Sequence, residues 1–180
     1  MHAWILALLA LVATPESQRD RFGEIATAIE TAASARPLYS SDDGPQRTVA
    51  ELVALAARES HLVVQAVGYD DYGRSFGLFQ VHETNFDRLG VMAEETSDPM
   101  EAVSMALTLL AESHRVCRAR PSEEQLSEYA SGMGRCDTPE GIRDSRNRMH
   151  LASWLLKTRP PFWTSRSASV LEVRTKRSVQ

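Results

Sequence analysis

Apolar residues recur along most of this chain at the three- and four-residue spacing of a helix. Phe22, Ile25, Ile29 and Ala32 carry that spacing through about residues 17–35, with Ala26 and Ala33 beside them. Pro37 stops the run, and Ser40 to Pro45 form a polar loop dense in turn formers. The pattern predicts a second helix over about 47–61, with Val49, Leu52, Val53 and Ala56 as its stripe. Thr48 and Glu51 stand at capping-box spacing near its start. A third helix runs from Pro99 to about Arg118 and carries Val103, Ala106, Leu107, Leu110 and His114. Pro121 breaks it. A short helix over about 122–131 holds Leu126, Tyr129 and Ala130. A last one over about 138–157 places Ile142, Met149, Ala152, Leu155 and Leu156 inward. Between the second and third helices the period is lost. Across 66–82, Gly68, Gly73 and Gly77 interrupt aromatic and apolar residues, which fits loops and a short hairpin.

Both ends depart from this pattern. Trp4 to Ala13 is an almost unbroken apolar run. It is too short for a membrane span, which needs about 20 residues. It matches the apolar region of a secretion signal, although only His2 and the terminal amine precede it where Lys or Arg is usual. Residues 1–16 are therefore expected to be a leader, with a buried N-terminal helix or an anchor as the alternative, and 17–158 the folded domain. After Pro160-Pro161 the chain turns polar and basic, with Arg166, Arg174, Lys176 and Arg177, so 159–180 reads as a flexible tail. The expected fold class is α+β, mainly α-helical, around a small irregular or β segment.

Composition narrows the function classes. The chain's 180 residues suffice for one domain with a real core. A net charge of −4 argues against nucleic acid or an anionic membrane as a chain-wide partner. The two cysteines, Cys117 and Cys136, pair if the chain is exported and stay as reduced core thiols if it is not. They are too few for a zinc site, and no histidine lies at zinc-finger spacing from them. The sequence has no P-loop, dinucleotide-binding glycine pattern, EF-hand loop or His-Glu-x-x-His pair. No metal or cofactor is expected, and a monomer is.

Candidate chemistry centres on Glu59. It falls seven residues after Leu52, four after Leu55 and three after Ala56, so it shares or borders the buried face of its helix. A carboxylate held against apolar surface resists ionisation and can serve as a general acid near neutral pH. Asp70 and Asp71 lie in the loop that follows. As a second carboxylate pair they could activate water across a cleft; in Tyr-Asp-Asp-Tyr-Gly they also read as turn formers. His82 and Glu83 come soon after Gln80 and could reach the same cleft.

Three segments carry a family resemblance. They are Arg58-Glu59-Ser60; Gly77-Leu78-Phe79-Gln80, with Ser75 just before; and Glu128-Tyr129-Ala130-Ser131-Gly132. In order and approximate spacing they resemble the catalytic core of the lytic transglycosylases, the lysozyme-like enzymes that cut the glycan strands of bacterial cell walls. The family's asparagine is absent from the third segment, where Ala130-Ser131 stands. The resemblance implies a lysozyme-like fold, an exported protein of the periplasm, cell envelope or extracellular space, and peptidoglycan glycan strands as partner. It implies Glu59 as the sole acid and then base, giving a 1,6-anhydro product. Ser60 would orient Glu59 or the substrate's acetamido group, and Ser75 and Gln80 would bind sugar. Phe79 and Phe76 would supply apolar surface, and Tyr129 would place its hydroxyl near Glu59. Two alternatives stay open: a hydrolase using Glu59 with Asp70 or Asp71, and a non-catalytic wall-binding protein on the same fold.

Overall fold

The computed structural model describes residues 1–131 and 134–158; the expected tail and Gly132 lie outside them. Seven α-helices and one small sheet follow in order among the described residues. They are α1 (His2–Val12), α2 (Phe22–Ala35), α3 (Gly44–Glu59), β1 (Val67–Asp70), β2 (Gly73–Phe76), β3 (Val81–His82), α4 (Phe86–Leu89), α5 (Pro99–Val116), α6 (Ser127–Ser131) and α7 (Pro139–Lys157). Single 3-10 turns stand between several of these, and those at Glu83–Asn85 and Ala93–Ser97 flank α4. The expected mainly helical α+β architecture is the one observed.

Helix α3 is the hub. The spacing predicts a stripe, yet every residue from Thr48 to Ala57 is buried. A helix that is apolar nearly all round must be covered on all sides, and α1, α2, α5 and α7 pack around it. It also starts earlier than expected. Pro45 sits in its first turn, where a missing N–H leaves no helical bond unmade. Thr48 is thus inside the helix and does not cap it. Its hydroxyl donates to the Gly44 carbonyl at 2.8 Å and accepts from the Leu38 N–H at 2.9 Å. The expected capping box with Glu51 does not form.

Helices α5 and α7 begin with side-chain caps. The Asp98 carboxylate accepts from the Met100 and Glu101 N–H groups at 2.8 and 3.1 Å, and Pro99 opens α5. The Thr138 hydroxyl accepts from Gly141 N–H at 3.1 Å, and Pro139 opens α7. The inward face of α7 runs Gly141, Ser145, Arg148, Ala152, Leu155. Leu156, expected inside, is 36% exposed. The register differs because two polar residues, Ser145 and Arg148, have partners inside the fold.

The irregular segment at 66–82 forms a three-stranded antiparallel meander, β1-β2-β3. Val67 pairs with Phe76 and Tyr69 with Arg74, and Ser75 pairs with His82. The tight β1–β2 turn holds Asp70 to Gly73. The residues expected as a leader are packed in this structure: Ile5, Leu8 and Leu9 of α1 are fully buried against the core. The Met1 amine and His2 pair with Glu30 on α2. No described helix is long and apolar enough to cross a membrane.

A disulfide joins Cys117, at the end of α5, to Cys136, ahead of α7. The loop it closes carries α6 and with it Tyr129.

Candidate active site

Glu59 is the last residue of α3. The chain turns sharply just after it, because His61 and Leu62 both adopt left-handed backbone with φ of 54° and 63°. Gln80 does the same at φ 48°. These three are the only non-glycine residues with positive φ among the described ones, and all border the candidate site. For a branched, fully buried residue such as Leu62 this conformation is costly, and such strain gathers where function over-determines the backbone.

Ser60 pins the end of α3 to the glycine-marked turn. Its buried hydroxyl bonds the Leu78 carbonyl at 2.8 Å and the Ala56 carbonyl at 3.2 Å. The turn needs its glycine: Gly77 has φ +76°, and a Cβ there would lie 2.5 Å from the Thr96 carbonyl oxygen. Thus Ser60 reaches backbone, not the Glu59 carboxylate.

Tyr129 is held by two hydrogen bonds. Its hydroxyl donates to the Phe79 carbonyl at 2.7 Å, and its N–H donates to the Ser113 hydroxyl at 3.1 Å. Burial pushes its phenol well above the ordinary value, with the nearby Glu59 charge adding to the rise. Phe79 is fully buried, so its ring belongs to the core and offers no face to a sugar. Phe76 packs against Phe86 at 5.6 Å between ring centres. The Gln80 amide donates to the Ala66 and Gly77 carbonyls at 3.2 and 3.0 Å, which fixes the turn from inside. Ser75 lies partly buried on β2.

The partner of Glu59 is a residue sequence reasoning missed. Arg148 on α7 places Nε 2.7 Å and Nη2 2.5 Å from the same carboxylate oxygen, Oε1. Oε2 accepts no hydrogen bond from the described residues. Glu59 is 16% exposed at its side chain and Arg148 is 8% exposed. Burial pushes the Glu59 carboxyl above the ordinary carboxylate range; Arg148 opposes that rise and Asp144 adds to it. The signal for Arg148 was present in the sequence. It falls four residues before Ala152 and seven before Leu155, a charge on an apolar stripe just as Glu59 is.

A small cavity of about 50 Å³ adjoins the turn, lined by Gln80, Val81, His82, Asn85, Arg88, Leu109, Glu128 and Tyr129. Of the residues read from sequence as sugar-binding, it gathers Gln80 and Tyr129, and of the nearby candidates it includes His82. It adds Asn85, Arg88 and Glu128. Burial pushes the Glu128 carboxyl up, against the Gly134 N–H that hydrogen-bonds it. A wider hollow of about 350 Å³ lies at Gly23, Thr27 and Met100, away from all of these residues. It is an open groove between α2 and the start of α5, lined also by Glu24 and Asp98, and none of the candidate residues reaches it.

Asp70 and Asp71 are exposed at the hairpin tip. The Asp70 carboxylate accepts from the Tyr72 N–H at 2.7 Å, an Asx-type turn contact, and stands 3.7 Å from His82 Nε2. Glu83 is engaged by the Arg74 side chain at 3.0 Å and by its N–H at 3.2 Å.

A family model described as "Transglycosylase SLT domain" matches residues 42–151. That span runs from the start of α3 into α7 and contains every residue described above at the site. Among curated proteins and among solved structures, none matches the chain significantly.

Proposed function

The chain belongs to the transglycosylase SLT-domain family, and on that premise we propose that it is a lytic transglycosylase in which Glu59 alone supplies the acid and the base. The family assignment supports peptidoglycan lytic transglycosylase activity in general. The finer reading rests on one observation. Glu59 is a desolvated carboxyl at the end of α3, with its proton affinity raised and one oxygen unengaged. Its place at the negative end of the helix acts in the same direction as its burial.

In this reading the protonated Glu59 gives its proton to the glycosidic oxygen between N-acetylmuramic acid and N-acetylglucosamine. The bond to the sugar's C1 breaks, and the substrate's acetamido group shares the positive charge left there. The Glu59 carboxylate then takes the proton from the same sugar's C6 hydroxyl. The C6 oxygen closes on C1, giving a 1,6-anhydro end, and Glu59 regains its starting state. No water enters and no second carboxylate is required. Asp70 and Asp71, on an exposed turn and with Asp70 already bonded to Tyr72, support a hydrolytic partner role less well.

Peptidoglycan lies outside the cytoplasm, and the Cys117–Cys136 bridge is what oxidising compartments favour. We read residues 17–158 as the catalytic domain and the protein as exported. The test is mass spectrometry of glycan fragments released by the purified chain. Anhydro ends, lighter by one water than hydrolytic products, support the reading. Reducing ends would transfer the role to a hydrolase, and binding without cleavage would leave a wall-binding protein.

A further inference from the structure

We infer that Arg148 is a positioning residue for Glu59: its guanidinium clamps carboxylate oxygen Oε1 and so reserves Oε2 as the oxygen that passes the proton. The inference rests on the reading of Glu59 as acid and base.

The geometry is unusual for an ion pair that serves stability alone. An arginine facing a carboxylate usually meets both oxygens with two parallel bonds, which satisfies the most groups. Here Nε and Nη2 both lie on Oε1, at 2.7 and 2.5 Å. Oε2 accepts no hydrogen bond from the described residues. Arg148 is itself incompletely satisfied, since Nη1 is buried without a hydrogen-bond partner among the described residues. A buried pair that leaves a guanidinium nitrogen unmet is a poor device for stability, because desolvation costs about as much as the attraction returns.

The clamp is also held in place from behind. The Arg148 guanidinium lies over the Tyr129 ring, 5.6 Å from its centre. Tyr129 is in turn fixed by the Phe79 carbonyl and the Ser113 hydroxyl. The arrangement ties α7 to α6 and α6 to the turn at 77–80, so Glu59 is oriented by a supported cation and not by a mobile one.

A fixed cation answers a need of the reaction. When Glu59 hands its proton to the glycosidic oxygen, a carboxylate appears in a desolvated place. The charged groups that face it are Arg148 and Asp144 from α7, with the neutral Tyr129 phenol from α6. Its neighbour on α3, Arg58, is exposed. Arg148 is therefore the group that stabilises the carboxylate formed in the first half of the cycle. It also keeps burial from raising the carboxyl's proton affinity so far that it no longer donates.

The test uses the full chain as wild type, Arg148→Met and Arg148→Lys. The Glu59 carboxyl is titrated by carbon-13 NMR, and glycan cleavage is followed against pH. In Arg148→Met the Glu59 midpoint rises by about one pH unit or more, as expected when an adjacent arginine is lost. The alkaline fall in cleavage moves up with it, since an acid stays protonated to higher pH. Arg148→Lys keeps the charge but not the two-point grip. Its midpoint stays near wild type, while kcat falls about tenfold or more with KM little changed. An unmoved midpoint in folded Arg148→Met would overturn the inference, and so would wild-type kcat in Arg148→Lys. If Arg148→Met does not fold, Arg148→Lys decides alone. Cleavage by Glu59→Gln at the wild-type rate would sink the acid/base reading itself. If wild type cleaves nothing, that reading fails and the inference with it, and a midpoint that still rises in Arg148→Met then shows a structural ion pair only.

Discussion

Two glutamates stand eight residues apart on α3, and the helix treats them differently. Glu51 is 2% exposed, and both of its oxygens are engaged. The Tyr39 hydroxyl donates to one at 2.5 Å, and His114 Nε2 meets the other at 2.8 Å. His114 Nδ1 in turn faces the Gln125 side-chain oxygen at 3.1 Å, and Arg47 stacks on the Tyr39 ring at 3.8 Å. Glu59, nearer the surface, has one oxygen gripped and the other open. A buried carboxylate with both oxygens engaged holds helices together, as Glu51 does between Tyr39 and His114 on α5; in the proposed function the open oxygen of Glu59 is the one that meets substrate. Burial is common to both carboxylates; what differs is the number of engaged oxygens, two on Glu51 and one on Glu59.

That contrast is sharpened most by exchanging each glutamate for glutamine. Glu59→Gln is expected to lower the cleavage rate by about 10²–10⁴-fold, the usual share of a general acid; its amide oxygen still accepts from the buried Arg148, so cleavage falls far more than the unfolding midpoint. Glu51→Gln should do the reverse. It leaves His114 with a weakened partner in the interior and costs about 1–3 kcal/mol of stability, while folded molecules keep cutting. Parallel assays of rate and denaturant midpoint on both variants check this. A Glu51 variant that is stable but inactive would erase the distinction.

The disulfide comes next in expected size. It closes the segment from Cys117 to Cys136, which contributes Gln125 to the Glu51 network and Tyr129 to the support of Arg148. Replacing both cysteines by serine should cost about 3 kcal/mol, the chain-entropy value for a loop of this size. Because both glutamate sites draw on that loop, stability and cleavage should fall together. A loss of stability with unchanged kcat would show that α6 keeps its place without the bridge.

Much of this was legible in the residues. The positions of the helices followed from apolar spacing, and Glu59 was marked by its place among Leu52, Leu55 and Ala56. What the pattern could not supply was direction. Ser60 and Tyr129 lie in the region, yet their hydroxyls bond backbone carbonyls, and no side-chain sequence reveals where a carbonyl points. Phe79 was assigned to the cleft because aromatic rings serve both sugars and cores, and only packing tells them apart. Thr48 lost its cap role because Pro45, read as a loop residue, is tolerated in the first turn of a helix. Arg148 carries the same mark as Glu59, a charge on an apolar stripe, but Met149 and Leu156 define a competing stripe one residue away on α7.

The smallest effect concerns pH and again divides the two glutamates. Burial opposes a charge on His114, but its hydrogen bond and attraction to Glu51, aided by Gln125, outweigh that and raise its pKa above 6.5. A histidine raised in the folded state adds stability that is complete below its unfolded value and fades as pH climbs through the folded one. Wild type should therefore lose stability as pH rises above about 6.5, whereas His114→Gln should show a flatter profile over the same window. The groups facing the imidazole explain the sign: Glu51 favours the charge, and Arg47 opposes it. Urea unfolding at a series of pH values on both chains reads the difference. If the two profiles run parallel, the Glu51 network holds a neutral histidine, and its charge is not what distinguishes it from the Glu59 site.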